Sequence, residues 1–240
     1  MSGRRLTFRL IGINNQNFLM EDRETRSWWQ QITGRAILGP LKGRQLTPVL
    51  HDEVTLGLWM REHPSGRVLA LDARQSQIRA TWETGIAKAP VVTPARKGDP
   101  LEPRTLVVGV VIDGEARAYP RALLKKSRVL LDELHGAPIA LVTGGDGLSI
   151  RAFARDLDGQ VLELLDRVGS SPARFIDAQT GSEWDISGRA VAGPLMGKQL
   201  RRVPFVSDFW FDWRTHNPRT TVYKEWKPPA VSAGGAPSAR

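Results

Sequence analysis

Apolar residues fall mostly in short blocks of strand length. Leu106–Ile112 (L-V-V-G-V-V-I) is the longest such block, and a continuous apolar run of this size reads as a buried strand. Asp113-Gly114 follows it. This dipeptide favours a tight hairpin turn, because both central positions of that turn require positive φ, so Glu115–Tyr119 returns as a second strand. Pro120 then opens a short helix reaching about Lys126. Ala137–Thr143 and Ser149–Arg155 read as strands around the turn Gly144-Gly145-Asp146-Gly147, and Asp158-Gly159 turns the chain into Gln160–Leu165. Near the start, Leu6–Ile11 is a further strand. Helical spacing is seen in two places. Val206, Phe209, Trp210 and Trp213 fall at i, i+3, i+4 and i+7, and so do Leu56, Trp59, Met60 and His63. Ser207 and Asp52 suit the N-cap of these helices, while Pro218 and Pro64 stop them. The expected class is α+β, dominated by short strands, with a few short helices.

The pattern is written twice. Asp22–Leu46 and Asp177–Leu200 share 14 of 24 aligned positions across a single-residue gap after the tryptophan. Unrelated segments would share about one or two, because each residue type supplies only a few per cent of positions. Trp59 and Pro64 keep register with Trp213 and Pro218. The repeated unit reads as a D-x-x-T turn, a strand through Trp29 or Trp184, a G-P-L-x-G loop and a closing helix. Leu6–Ile11 matches the position of Val161–Leu165, so the first copy is incomplete and lacks about its first two-fifths. The expected organisation is a partial unit at 1–71, a proline-containing linker at 72–103, a complete unit at 104–226 and a disordered Pro/Gly/Ser/Ala tail at 227–240.

Composition narrows the chemistry. With 41% hydrophobic and 25% charged residues the chain has the means to build a core. No apolar run approaches the roughly 18 residues of a membrane helix. The start has basic residues but no apolar signal-peptide region, so taken literally the chain reads as cytoplasmic. The absence of cysteine excludes disulfides, thiolate chemistry and Cys-ligated metal in this chain. The net charge of +9 is scattered, with one cluster over Arg117–Arg128 and another at Lys198, Arg201 and Arg202. No zinc-finger or RNP-like motif accompanies it, so a solvated basic surface is preferred to nucleic-acid binding.

Few residues invite a chemical reading. His51, His63, His135 and His216 show no metal-ligand spacing, and no cofactor is expected. Asp22 and Asp177 recur beside Thr25 and Thr180. Paired carboxylates suit acid–base work, yet a turn requirement predicts the same recurrence and is preferred. Trp29 and Trp184 have the surface to stack on a ligand, but buried anchors are the commoner use. The Gly144–Gly147 turn lacks the Lys-Ser/Thr of a phosphate loop. Arg117, Tyr119 and Arg121 form a polar cluster suited to an anionic ligand or to holding the hairpin.

The segments G-V-V-I-D-G-E-A-R-A-Y-P (109–120), G-A-P-I-A-L-V-T (136–143), D-x-x-T-G-S-E-W (177–184), G-R-A-V-A-G-P-L-M-G-K-Q-L (188–200) and W-x-x-W-R-T-H-N-P (210–218) resemble the prokaryotic domain-of-unknown-function family numbered 3179. The resemblance covers 105–224 as a whole domain and 6–68 as the back half of another. It implies a C-P-L-C type motif after the strand matched by Ala140–Thr143, and here that stretch reads T-G-G-D-G-L-S (143–149), without sulfur. It also implies that members are commonly exported, which would place a longer parent protein in the periplasm or outside the cell. The leading expectation is a non-catalytic binding or structural module. It would meet a protein partner or associate with itself through its repeated units. The alternatives are a redox or metal-dependent accessory enzyme whose centre lies in an upstream half-domain, and an anion or nucleic-acid binder.

Overall fold

The computed structural model describes residues 5–14, 17–81, 85–86, 88–93, 96–170 and 174–224; the tail at 227–240 lies outside them. The fold is β-dominated, with short helices. The chain opens with a four-stranded antiparallel meander: β1 (Phe8–Asn14), β2 (Asn17–Asp22), β3 (Trp28–Gln30) and β4 (Arg35–Leu38). Helix α1 (Leu56–Glu62) follows, and α2 (Ala73–Ala80) lies within the stretch read as linker. Next come β5 (Leu106–Ile112), β6 (Glu115–Pro120), α3 (Arg121–Lys126) and a three-stranded sheet of β7 (Val129–Leu134), β8 (Ala137–Thr143) and β9 (Ile150–Ala154). A small hairpin, β10 (Asp156–Leu157) and β11 (Gln160–Val161), leads to a second meander. Its strands are β12 (Leu164–Arg167), β13 (Arg174–Asp177), β14 (Glu183–Trp184) and β15 (Ala190–Ala192). Strand β16 (Val206–Phe209), helix α4 (Trp210–His216) and β17 (Thr221–Val222) close the described chain.

From β5 onward the elements stack in layers. Strands run β16-β5-β6-β17 in one sheet, with β17 parallel to β6. One face of this sheet carries Val107, Ala116 and Ala118 against Trp210 and Trp213 of α4. Its other face packs Val108, Val110 and Tyr119 onto Leu134, Ile139 and Leu141 of the β7–β9 sheet. The far side of β7–β9 offers Ala140, Val142 and Phe153 to Leu164, Phe175 and Trp184 of the second meander. Strands β8 and β9 are therefore buried on both faces, which explains the apolar run of β8 and leaves Arg151 of β9 in need of buried partners. Gly109 lets Trp213 lie flat on β5, since a Cβ there would come within 2.2 Å of the indole.

The two meanders share one register. Trp29 pairs with Ala36 and Trp184 with Ala190, each beside a bulge at the preceding residue. Bridges Arg35↔Gln45 and Arg189↔Gln199 correspond, as do Leu46 N to Gly34 O and Leu200 N to Gly188 O, both 2.9 Å. The single-residue length difference falls in the turn before β4 and β15. Gly39 and Gly193 both have φ near +90°, and a Cβ at either would sit 2.7 Å from the Cα of Ser27 or Ser182. The G-P-L-x-G loop thus requires glycine for closeness as well as for conformation.

Several sequence expectations are corrected. Val206–Phe209 is not helical. Its backbone pairs with the edge of β5, from Val206↔Gly109 to Phe209↔Leu106, and the helix begins only at Trp210. Ser207 caps nothing, and its hydroxyl donates to Glu53. Asp52 is not the N-cap of α1. Thr55 is, accepting from Leu58 N at 3.2 Å. The buried side of α1 is Leu58, whereas Leu56 and Met60 are more than half exposed. Thr55 and Glu62 bond to the second half of the chain, and 55, 58 and 62 lie along one helical face, so those bonds turn Leu58 inward. Among the described residues, no helix is long and apolar enough to cross a membrane.

Candidate functional site

Asp22 and Asp177 are the centres of two matching knots. Asp177 accepts from Thr180 N at 2.6 Å, from the Thr180 hydroxyl at 2.8 and 3.0 Å, and from Trp184 Nε1 at 2.8 Å. Asp22 accepts from Thr25 N at 2.5 Å, from its hydroxyl at 2.7 and 2.8 Å, and from Trp29 Nε1 at 2.7 Å. Ser27 and Ser182 extend the knots by accepting from Leu41 N and Leu195 N in the glycine-bearing loops. All four Asp and Trp residues are fully buried. Burial pushes the Asp22 carboxyl up, but the bonds from Trp29 and Thr25 outweigh this and hold it below the ordinary carboxylate range. The arrangement fastens loop to strand, and neither indole meets solvent.

Arg117 and Tyr119 converge on Asp132, while Arg121 points elsewhere. The Arg117 guanidinium donates to both Asp132 oxygens at 2.7 Å, and Tyr119 OH donates to Oδ2 at 2.6 Å. Burial works against the charged guanidinium, yet Asp132 prevails and raises its pKa; burial and the same carboxylate raise that of Tyr119. Asp132 sits on β7, a strand the sequence reading passed over. The signal was present: V-L-L-D-E-L ends at His135-Gly136, both with positive φ, as in a two-residue hairpin turn. Arg121 instead donates to Glu53 Oε1 at 3.1 Å and to Leu148 O at 3.0 Å.

The turn at 143–149 is bonded to the segment before and at the start of α1. Asp146 accepts from Leu148 N, from Ser149 N, from the Ser149 hydroxyl at 2.5 Å and from the Thr55 hydroxyl at 2.7 Å. Thr55 N donates to Ser149 Oγ at 2.9 Å, and Ile150 N to Glu53 O at 2.9 Å. Burial raises the Asp146 carboxyl, but these bonds, Ser149 foremost, bring it down to about 2. Beneath, nearly buried Arg151 donates to Glu62 at 2.7 and 2.6 Å and pairs with Asp52 at 3.0 Å; Asp52 also binds Arg202. Burial disfavours the Arg151 cation, and Glu62 and Asp52 more than restore it. These partners are about 90 to 150 residues apart in sequence, so no local motif announces them.

The histidines are dispersed. His135 Nδ1 lies 3.7 Å from Glu115, His216 Nε2 lies 3.4 Å from Asp212, His63 packs on Trp59 and His51 on Phe205. Among the described residues, no three His, Asp or Glu side chains are placed to hold a metal ion. A 470 Å³ cavity between the β5–β6 turn and the end of α4 is polar, lined by Asp113, Glu115, His216 and Arg219. A 680 Å³ groove runs between β7 and β12, lined by Leu123, Val129, Leu131, Leu165 and Tyr223. Neither cavity is lined by Asp22, Asp177, Trp29 or Trp184.

Residues 1–220 match the family model described as a protein of unknown function, DUF3179. The chain belongs to the DUF3179 family. The match runs through both meanders and the stretch joining them, so the DUF3179 pattern takes in the Asp–Thr–Ser–Trp knots and the α1 segment together. No curated protein and no solved structure matches the chain.

Proposed function

We propose that this DUF3179 chain is a non-catalytic binding module, made from one structural unit twice, and that it binds through the uncovered face of its first meander. The observation that carries this reading is a difference between equivalent faces. Opposite residues of paired strands share a face, so Phe8, Leu10, Ile13, Phe18 and Met20 lie on the Trp29 side of the first sheet. Leu10 is 56% exposed and Ile13 60%. On the second sheet Leu164 and Phe175, which occupy the places of half-buried Phe8 and Met20, are almost fully buried, because Ala140, Val142 and Phe153 cover them, and Asp166 stands in the place of Leu10. Arg128 also lies over the Phe175 ring and pairs with Asp166. The same contrast holds for the helices: Leu56 of α1 is 55% exposed, while Trp210, at the equivalent position of α4, is 2% exposed.

An apolar face of this kind marks an interaction surface. It is apolar along its length, so two copies meet across it without like-charge contact despite the net charge of +9. A second copy of the chain, joined face to face about a two-fold axis, is therefore the partner we favour. The non-catalytic reading is supported by the sulfur-free stretch at 143–149, whose polar groups bond to one another and to Thr55. Sedimentation velocity of the full chain and of a Leu10→Arg/Ile13→Arg variant tests the proposal. The parent should associate at micromolar concentration, and the variant should be monomeric with an unchanged circular dichroism spectrum. Equal sedimentation of the two would refute it.

A further inference from the structure

Asp208 and Asp212 stand on either side of the junction between β16 and α4, and the bend there brings their carboxyls together. Asp208 Oδ1 accepts from Phe209 N at 2.7 Å, whereas Oδ2 is buried without a hydrogen-bond partner. Asp212 is 2% exposed. Its Oδ2 accepts from the Asn17 side-chain amide of β2, and its Oδ1 is buried without a hydrogen bond, 3.4 Å from His216 Nε2. Each carboxyl thus has one orphaned oxygen. Two adjacent buried carboxylates repel, and a bare buried oxygen is costly.

We infer that Asp208 and Asp212 hold one proton between them, and that this shared proton fastens the first meander to α4 through Asn17. A single proton gives both orphaned oxygens a partner and removes the repulsion at once. Burial, followed by the Asp212 carboxylate, pushes the Asp208 carboxyl up to about 8. The surroundings leave this balance intact. The β5 residues paired with β16, Leu106 to Gly109, bring no titratable group. Glu53 accepts from Ser207, Arg104 lies over the Phe209 and Phe211 rings, and Arg214 pairs with Asp99. His216 Nε2, 3.4 Å from Oδ1, is the cation-forming group that faces Asp212. When the proton leaves, two negative charges face each other at the junction, and the carboxylate that accepts from Asn17 is driven away. The first meander then loosens while the layered body from β5 onward stays folded.

Two measurements on the full chain test this, run from about pH 6 to pH 10 to span the expected loss of the proton. Infrared spectroscopy should show the carbonyl band of a buried, protonated carboxylic acid at neutral pH; the band should vanish at alkaline pH and be absent from Asp208→Asn. Hydrogen exchange, corrected for its intrinsic pH dependence, should show at least tenfold loss of β1–β2 protection as the band disappears. Asp208→Asn should retain that protection. Asn17→Ala should keep the infrared band but show low protection at every pH, which also serves if Asp208→Asn fails to fold. Absence of the band at neutral pH overturns the shared proton. Protection in Asn17→Ala equal to that of the parent overturns the fastening.

Discussion

Replacing Asp177 with alanine separates a structural carboxylate from a ligand-binding one. The substitution leaves Trp184 Nε1 and Thr180 N buried without an acceptor, while the Thr180 hydroxyl keeps Ser182 at 2.7 Å. Each orphaned donor costs about 1–3 kcal/mol, and relief of the buried carboxylate's own desolvation offsets part of this, so the net loss should be about 3–4 kcal/mol. For a chain of this size that lowers Tm by about 6–15 °C. Asp177→Asn keeps one acceptor but turns an amide donor toward existing donors, so it should recover only part of the loss. Urea denaturation followed by tryptophan fluorescence measures both variants. Asp22→Ala removes the same bonds, yet its meander is less covered. Its effect should appear mainly as faster hydrogen exchange in β1–β4, with a smaller shift of the global transition. A loss below about 1 kcal/mol in Asp177→Ala would refute the reasoning, because two buried donors could not then have been left unpaired.

Gly109→Ala should destabilise by at least about 2 kcal/mol, since the new methyl overlaps the Trp213 ring; a melting curve equal to the parent's would show that α4 does not pack there. Glu62→Gln breaks the two-bond pairing with nearly buried Arg151 and should cost about 2–3 kcal/mol in chemical denaturation, because Asp52 alone then balances that charge. Asp146 is held at about 2, below its unfolded value, so its contribution is present above the ordinary carboxylate range and is lost as pH falls toward 2. Ser149→Ala, which removes the largest of the bonds lowering it, should shift acid unfolding to higher pH; identical acid midpoints would show that the turn is not held through this carboxylate.

Strands β5, β6, β8 and β9 were legible because their apolar positions are spaced for strands and they end in turns that demand particular residues, whereas β7, which carries Asp132, was not. Leu106–Ile112, Asp113-Gly114 and Ala137–Thr143 all lie where their chemistry puts them. Legibility failed where two periods competed. Val206, Phe209, Trp210 and Trp213 fit a helix, but the open edge of β5 offers backbone pairing for Val206–Phe209 before the helix can begin at Trp210. Only that edge, about 100 residues away in sequence, decides between the two. For α1 the apolar spacing pointed to Leu56 and Met60, while ion pairs and hydroxyl bonds across the fold selected Leu58.

By itself the sequence determined the local devices: the Asp–Thr–Ser–Trp knots, the glycine loops, the hairpin turns and their repetition. Each is complete within about 25 residues, so its physics can be read from spacing. Tertiary structure alone decided what covers each device. The second meander is covered by β7–β9 and the first keeps an apolar face open, although their motifs nearly coincide. It also decided that Arg121 leaves Arg117 and Tyr119 to bond Glu53, and that Asp212 meets Asn17 of the first meander. Burial and charge pairing depend on neighbours distant in sequence, and a recurring motif carries no record of which neighbours it will find.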